Sequence, residues 1–422
     1  MNLLRKFIST HSKPASDVSS GPLCTPSVTG FPTIPASEKL EEENWPWYTP
    51  KSFYPVRIGD ILHGRYQVLY KVGFGTTSTT WICRDLHQVK YVCMKSLVCD
   101  YISVRRELKA YEALAHASDS CKFPGSIFVR QALDQFNLRH GDNDYNFLIH
   151  EPLGPNVQSL LDHSKGRFSP VYVKSLAKKM LQALEFIHAA DVIHADIQAS
   201  NILLGLENET VLSDMEKAEL KRPSSRKITD QTVIFKTIDS TGPLKRWASD
   251  RCKPVLCDFG EARTGQSSYT EFIQPAPYRA PELFLLLRWR KSVDIWNLGC
   301  MLWHFTCGQH LFSRKGASDK KSGDIRQLAW MVALLGPPPA ELIDISGERA
   351  LEFFNKDGSF KTDVPQESLE SLLKASTGSA KKIMSNAEST AFLAFLRRML
   401  KWSQKERATA AELLDDPWLK EL

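Results

Sequence analysis

The chain has 422 residues, 42% apolar and 24% charged, ordinary globular values that exclude a mostly disordered, fibrous or disulfide-stapled protein. Its 54 basic and 48 acidic residues leave a net charge of +6, too small over this length to imply nucleic-acid binding. No apolar run of about 18 residues suggests a membrane span. None of the nine cysteines is paired in a CxxC spacing, so they read as reduced, mostly buried thiols.

Ser, Thr, Pro and Gly supply 18 of the first 37 residues, a composition that cannot bury a core, and residues 1–40 are expected to be a disordered tail. Arg5, Lys6 and Lys13 precede any acid. A mitochondrial transit peptide is therefore the lesser alternative to a cytoplasmic or nuclear location. Glu41-Glu42-Glu43 and the aromatics Trp45, Trp47, Tyr48, Phe53 and Tyr54 follow. Aromatics this dense are costly in water, so residues 41–65 are expected to pack on the folded body.

Short β-type runs come next, at Tyr66–Tyr70, Trp81–Cys83 and Lys90–Leu97. Leu108, Tyr111 and Leu114 predict a helix over Val104–Ala115. Strands are predicted at Ser126–Leu133 and Tyr145–His150. Beyond Pro155 the apolar period becomes helical, over Val171–Ala189, Val293–Phe305, Asp324–Leu335 and Ser389–Leu400. A β-rich part followed by a helical part predicts an α+β fold in two lobes, residues 66–154 and 155–419. Residues 206–252, polar and carrying the basic run Lys221 to Lys227, read as a surface excursion between two short strands.

The motifs gain weight in company. Gly73-Phe74-Gly75-Thr76-Thr77-Ser78 is a glycine turn of the kind that lets amides approach phosphates, but strand rather than helix follows it, against a dinucleotide fold. Lys95 ends a strand and precedes a helix holding Glu107 and Glu112; five residues separate the two acids, so only one can face Lys95, and Glu107 is preferred. His194-Ala195-Asp196 with Asn201 five residues after the Asp is followed by Asp258-Phe259-Gly260, Ala280-Pro281-Glu282, Asp294 and Arg407. That ordered set resembles a eukaryotic-type protein kinase over about residues 66–419. Tyr54-Pro55-Val56-Arg57-Ile58-Gly59-Asp60, the loop through Trp81, Leu153-Gly154 and Ile197 are similar to the SR-protein kinases, in their fungal branch.

The resemblance implies a two-lobed kinase fold, ATP and Mg2+ as cofactors, and protein substrates, Arg/Ser-rich ones in the nearest subfamily, with no nucleic acid or membrane and a monomer by default. It implies Asp196 as acceptor of the substrate hydroxyl's proton, Asn201 and Asp258 as metal ligands, and Lys95 fixed by Glu107 on the α- and β-phosphates. The amides of Gly73, Phe74, Gly75, Thr76, Thr77 and Ser78 would cover the phosphates. Val72 and Thr80 would enclose adenine, and the backbone of Glu151 and Leu153 would bond its edge.

Five departures qualify this. Ser78 stands at the third glycine and Thr80 at an apolar slot. Gln198 replaces a lysine that steadies the γ-phosphate, so slower chemistry is expected. Ala195 replaces the arginine that reads an activation-loop phosphate, which predicts activity independent of that phosphate. The stretch Ser313–Asp324, with four basic residues and two acidic, opposes docking of an Arg-rich peptide. A catalytically silent kinase fold, binding ATP as a scaffold, is the alternative reading.

Overall fold

The computed structural model describes residues 30–120, 123–238, 252–377 and 384–420. Most of the tail expected over 1–40 lies outside the described residues. The chain divides into two compact units: Met1–Tyr111 with Arg130–Pro155 and Leu204–Cys252, and Glu112–Val129 with Asn156–Leu203 and Lys253–Leu422.

Strands β1 (Ile61–Leu62), β2 (Tyr66–Phe74), β3 (Ser78–Asp85) and β4 (Lys90–Leu97) precede helix α1 (Ile102–Ser120), and β5 (Asp134–His140) and β6 (Asn143–His150) follow it. They form one antiparallel sheet in the order β1-β2-β3-β4-β6-β5. Strand alternation sends Tyr66, Val68, Trp81, Met94, Phe147 and Ile149 into one core and Leu69, Tyr70, Ile82 and Cys93 into another. Tyr54, from the aromatic segment, meets Tyr145 and Phe147 edge-on, with ring centroids 5.5 and 5.2 Å apart.

The second unit carries α2 (Val157–His163), α3 (Pro170–Ala189), β7 (Val192–Ile193) and most of β8 (Ile202–Leu204). Ser169 caps α3 by accepting the Tyr172 N–H, and Pro170 occupies its first turn, where no donor is missed. Ten buried residues of α3, from Val173 to Ile187, form its core face.

The segment read as a surface excursion does run between two short strands, but it is folded into the first unit. It comprises α4 (Thr210–Lys221) and a hairpin of β9 (Arg226–Ile228) and β10 (Val233–Phe235). Leu212 and Met215 of α4 pack on Leu69, Tyr70, Ile82 and Cys93, and the Tyr70 hydroxyl donates to the Leu212 carbonyl over 3.1 Å. Leu212 and Met215, one turn apart on an otherwise mostly exposed helix, are enough to dock it.

After β11 (Pro254–Leu256) and β12 (Arg263–Thr264) come α5 (Pro281–Phe284), α6 (Ser292–Cys307) and α7 (Lys320–Leu335). The end is helical: α8 (Ala340–Ser346), α9 (Glu348–Leu351), α10 (Leu369–Thr377), α11 (Asn386–Met399), α12 (Ala410–Leu414) and α13 (Pro417–Lys420). α6 is buried nearly all round and ends at Gly308 in a left-handed conformation, the usual helix stop.

The strand predicted over Ser126–Leu133 does not exist. Pro124 starts a 3₁₀ turn, Pro124–Phe128, and Gly125 lies so close to α3 that a Cβ there would sit 1.8 Å from the Gln182 carbonyl oxygen. The strand that does form, β5, lies at the sheet edge. The 313–324 stretch is an ordinary capping loop: Asp319 caps α7, and Arg314 is neutralised by Asp324 over 2.6 Å.

Candidate active site

The first unit holds the glycine turn and the lysine. β2 and β3 enclose Gly75–Thr77, closed by the Gly75 N–H on the Ser78 carbonyl over 2.8 Å and tied to the start of the next segment by Val98 N–H on Thr77 O. Gly73 has no left-handed backbone, and a Cβ there would meet nothing within 4 Å. The chain's own packing therefore does not demand glycine. A bare backbone kept open in this way fits a phosphate-bearing ligand approaching the amides. Val72 and Thr80 are half-buried beside the turn and Phe74 is exposed.

Lys95 points from β4 to α1, where its Nζ lies 2.6 Å from Glu107 Oε1. Glu107 is 1% exposed and Lys95 14%, so the ammonium keeps a solvent-facing side while its partner carboxylate is buried. Glu112 is exposed. The chain leaves β6 at His150, whose buried ring sits 2.8 Å from the Gln131 carbonyl; burial pushes its pKa well down, so the imidazole is neutral. Glu151 and Leu153 follow outside any helix or strand, and Gly154 N–H donates to Leu204 O over 2.7 Å.

The second unit holds the catalytic-loop residues. A single carboxylate from α6, Asp294, accepts the His194 and Ala195 backbone N–H groups, each over 2.9 Å. That grip holds Ala195 at φ 66°, a left-handed conformation a non-glycine residue adopts only when its surroundings impose it. His194, fully buried, has Nε2 3.0 Å from the Cys257 carbonyl and accepts the Asp196 N–H at Nδ1, an arrangement that fixes the ring's orientation. Its ring lies against Phe259, centroids 5.0 Å apart.

Asp196 is held by amides on two sides. Asn201 Nδ2 donates to its carboxylate over 2.8 Å and to its main-chain oxygen over 2.9 Å. Gln198 Nε2 donates to the same carboxylate oxygen over 2.9 Å. Burial raises the Asp196 carboxyl above its ordinary range, and these two donors offset part of the shift. The role of Gln198 is a donor to Asp196, which reading it as a missing lysine did not reveal. Because Asn201 spends its NH₂ on Asp196, the amide oxygen is the end of the side chain that can serve as a ligand. Asp258, exposed and at φ 65°, supplies a carboxylate. An amide oxygen and a carboxylate form a hard-oxygen pair suited to Mg2+, which keeps several ligands from water or phosphate.

The activation segment is set by apolar contacts. Ala195 lies in a buried cluster with Ile193, Tyr269, Ile273, Leu283, Trp289 and Val293. Tyr269 and Trp289 exchange both backbone hydrogen bonds, over 3.0 and 2.9 Å, and their rings stack at 5.0 Å. The indole N–H of Trp289 donates to Glu271 O over 2.8 Å, and the Arg263 guanidinium lies 3.5 Å from the Glu271 carboxylate.

A profile described as "Protein kinase domain" matches residues 66–237 and 249–419. A serine/threonine protein kinase of Aspergillus fumigatus is 35% identical over 94% of this chain and 94% of its own length. The serine/threonine-protein kinase SRPK of Physarum polycephalum is 26% identical, over 90% of this chain and 92% of its own. Mouse SRSF protein kinase 3 is 24% identical, over 96% and 97%. With the profile covering most of the sequence in two adjoining stretches and relatives aligned end to end, this chain belongs to the protein kinase family.

Proposed function

We propose that the protein is an active serine/threonine kinase that phosphorylates protein serines and needs no activation-loop phosphate. The observation that carries this is the Asp196 carboxylate, held by Gln198 and Asn201, with the exposed carboxylate of Asp258 in the same unit. MgATP supplies the transferable phosphoryl group. Asp196 orients the acceptor hydroxyl and takes its proton, while Gln198 and Asn201 keep the carboxylate in place. Asn201 and Asp258 hold the metal, and Lys95, steadied by Glu107, neutralises phosphate charge. Phosphoryl transfer asks the protein chiefly for position and charge, and these residues supply both.

Independence from loop phosphorylation is supported by the apolar cluster around Ala195, which occupies the place of a phosphate-reading arginine. Ser268 and Tyr269 are buried, and Glu271 already offers Arg263 a negative charge. For the substrate, the relatives named for SR-type proteins favour Arg/Ser-rich peptides. Pairing of Arg314 with Asp324 leaves Lys315, Lys320 and Lys321 as the cations of the 313–324 loop that such a peptide would meet.

The test is phosphate transfer from radiolabelled MgATP to a pool of Arg-Ser repeats and a pool of Ser/Thr peptides in acidic surroundings, with Asp196→Ala as control. Transfer to the first pool alone establishes the full proposal, and transfer to the second alone keeps the kinase and discards the Arg/Ser substrate. No transfer to either, with nucleotide still bound, makes the scaffold reading the correct one. Thr270→Ala with Ser267→Ala should leave the rate within about twofold, since the nearby cations already have partners, Arg263 on Glu271 and Arg288 on the Ser268 hydroxyl over 2.9 Å; a collapse in rate refutes loop independence.

A further inference from the structure

Two sequence features remain outside the chemistry, the acidic run Glu41-Glu42-Glu43 and the basic run ending in Arg226-Lys227. The structure joins them, and Lys71 of β2 lies at the joint. Lys71 is a lysine with no exposed side-chain surface. Its Nζ lies 2.8 Å from Glu41 and 2.6 Å from Glu42, and it donates to the Phe235 carbonyl of β10 over 3.0 Å. Its own carbonyl accepts the Ile238 N–H over 2.9 Å.

Glu41 and Glu42 share Lys71, and Glu43 has a receiver of its own. Glu41 accepts the backbone N–H and hydroxyl of Thr237, over 2.6 and 2.9 Å, as well as pairing with Lys71. Glu42 pairs with Lys71, and Glu43 pairs with Lys227 over 2.9 Å. The Arg226 guanidinium lies over Phe31 at 3.9 Å and over Phe235 at 4.7 Å. Arg226 also exchanges backbone hydrogen bonds with Pro32 and Ile34.

The joint sits next to the glycine turn. Lys71 is two residues before Gly73, and the register of β2 against β3 slips between those two residues. Phe235 packs edge-on against Trp81, the residue paired with Lys71 across the sheet. A buried ion pair is a poor device for stability, because an apolar pair of the same shape is commonly as stable or more so. It is a good device for geometry, since each charge accepts only one arrangement of partners.

We propose that Lys71 is a positioning residue for nucleotide binding, clamped between the 30–44 segment and the β9–β10 hairpin so that the irregularity of β2 places the Gly73–Ser78 amides. This rests on the ATP-binding reading given above. The prediction concerns nucleotide affinity, separately from turnover and fold stability.

The test uses the full chain with Lys71→Met, Glu42→Gln and Thr237→Val. A fluorescent ADP analogue reads affinity, steady-state kinetics on the accepted peptide give KM for ATP and kcat, and thermal denaturation gives Tm. Lys71→Met should weaken nucleotide binding about tenfold and raise KM alike, with kcat within about twofold, the split expected when a binding contact is misplaced. Glu42→Gln and Thr237→Val, which keep shape and remove one contact each, should weaken binding about threefold. Should Lys71→Met fail to fold, those two variants decide. Lower Tm with unchanged affinity in the folded variants overturns the proposal in favour of a purely structural joint. Failure of the unmodified protein to bind the analogue overturns the ATP reading itself, and the clamp with it.

Discussion

Replacing Arg407 by Met should cost the second unit several kcal/mol. Arg407 and Glu282 are 0% and 1% exposed, and the guanidinium meets the carboxylate as a fork, over 2.7 and 2.5 Å. Its remaining N–H groups serve the Lys401 carbonyl at 2.9 Å and the Ser292 carbonyl at 3.3 Å. Arg407→Met leaves a carboxylate buried without its partner, about 3–5 kcal/mol when such a pair is broken. It also strips two carbonyls of a donor, about 1 kcal/mol each. The double variant Glu282→Leu, Arg407→Met removes the lone charge, so only the carbonyl losses and repacking remain, about 2 kcal/mol. Urea unfolding followed by tryptophan fluorescence reads this directly, since Trp296 lies under the guanidinium at 5.0 Å. The reasoning fails if the single variant loses less than about 1 kcal/mol, or if the double variant is less stable than the single one.

Two further outcomes follow from the geometry. Gln198→Lys should raise kcat about tenfold, because an ammonium can keep the bond to Asp196 while adding charge where the transition state needs it; an unchanged or lower kcat would show a site adapted around the amide. The Tyr278 hydroxyl lies 2.7 Å from His304 Nδ1, and burial, with His310 adding to it, pushes the His304 pKa down to about 4. Unfolded histidine takes up its proton near pH 6.5 and the folded one does not, so stability is present above about pH 6.5 and falls as pH drops toward 4. Thermal denaturation at pH 7 and pH 5 should show a smaller loss in His304→Asn than in the parent; equal losses would remove His304 as a cause.

Much of the fold was legible because its signals are local. The apolar spacing of α3 and α11 marks their buried faces, while the starts predicted at Val171, Asp324 and Ser389 fall inside the true ones, which the caps Ser169, Asp319 and Ser385 set. Helical angle showed that only one of Glu107 and Glu112 can face Lys95, and the preferred Glu107 is the one that pairs with it. What escaped depends on partners far away in the chain. β5 buries only Phe136 fully, as an edge strand can, so its alternation was too weak to outweigh the apolar 126–133 run. β9 and β10 have three residues each and owe their order to residues 31–43, about 190 positions earlier. Gln198 was read for the charge it lacks, since nothing in its neighbours says which oxygen its amide will reach.

The hold of Asp294 on the catalytic loop has a consequence for where the molecule can loosen. A fully buried carboxylate whose oxygens take the N–H groups of His194 and Ala195, and which also lies 2.9 Å from His188 Nε2, cannot let go of the loop without standing uncompensated in a dry interior. The loop residues around His194 have little regular secondary structure, yet local opening there would cost nearly as much as pulling α6 out of the core. The segment proposed to do the chemistry therefore belongs to the last part of its unit to come apart, while ordinary functional loops are drawn from the first.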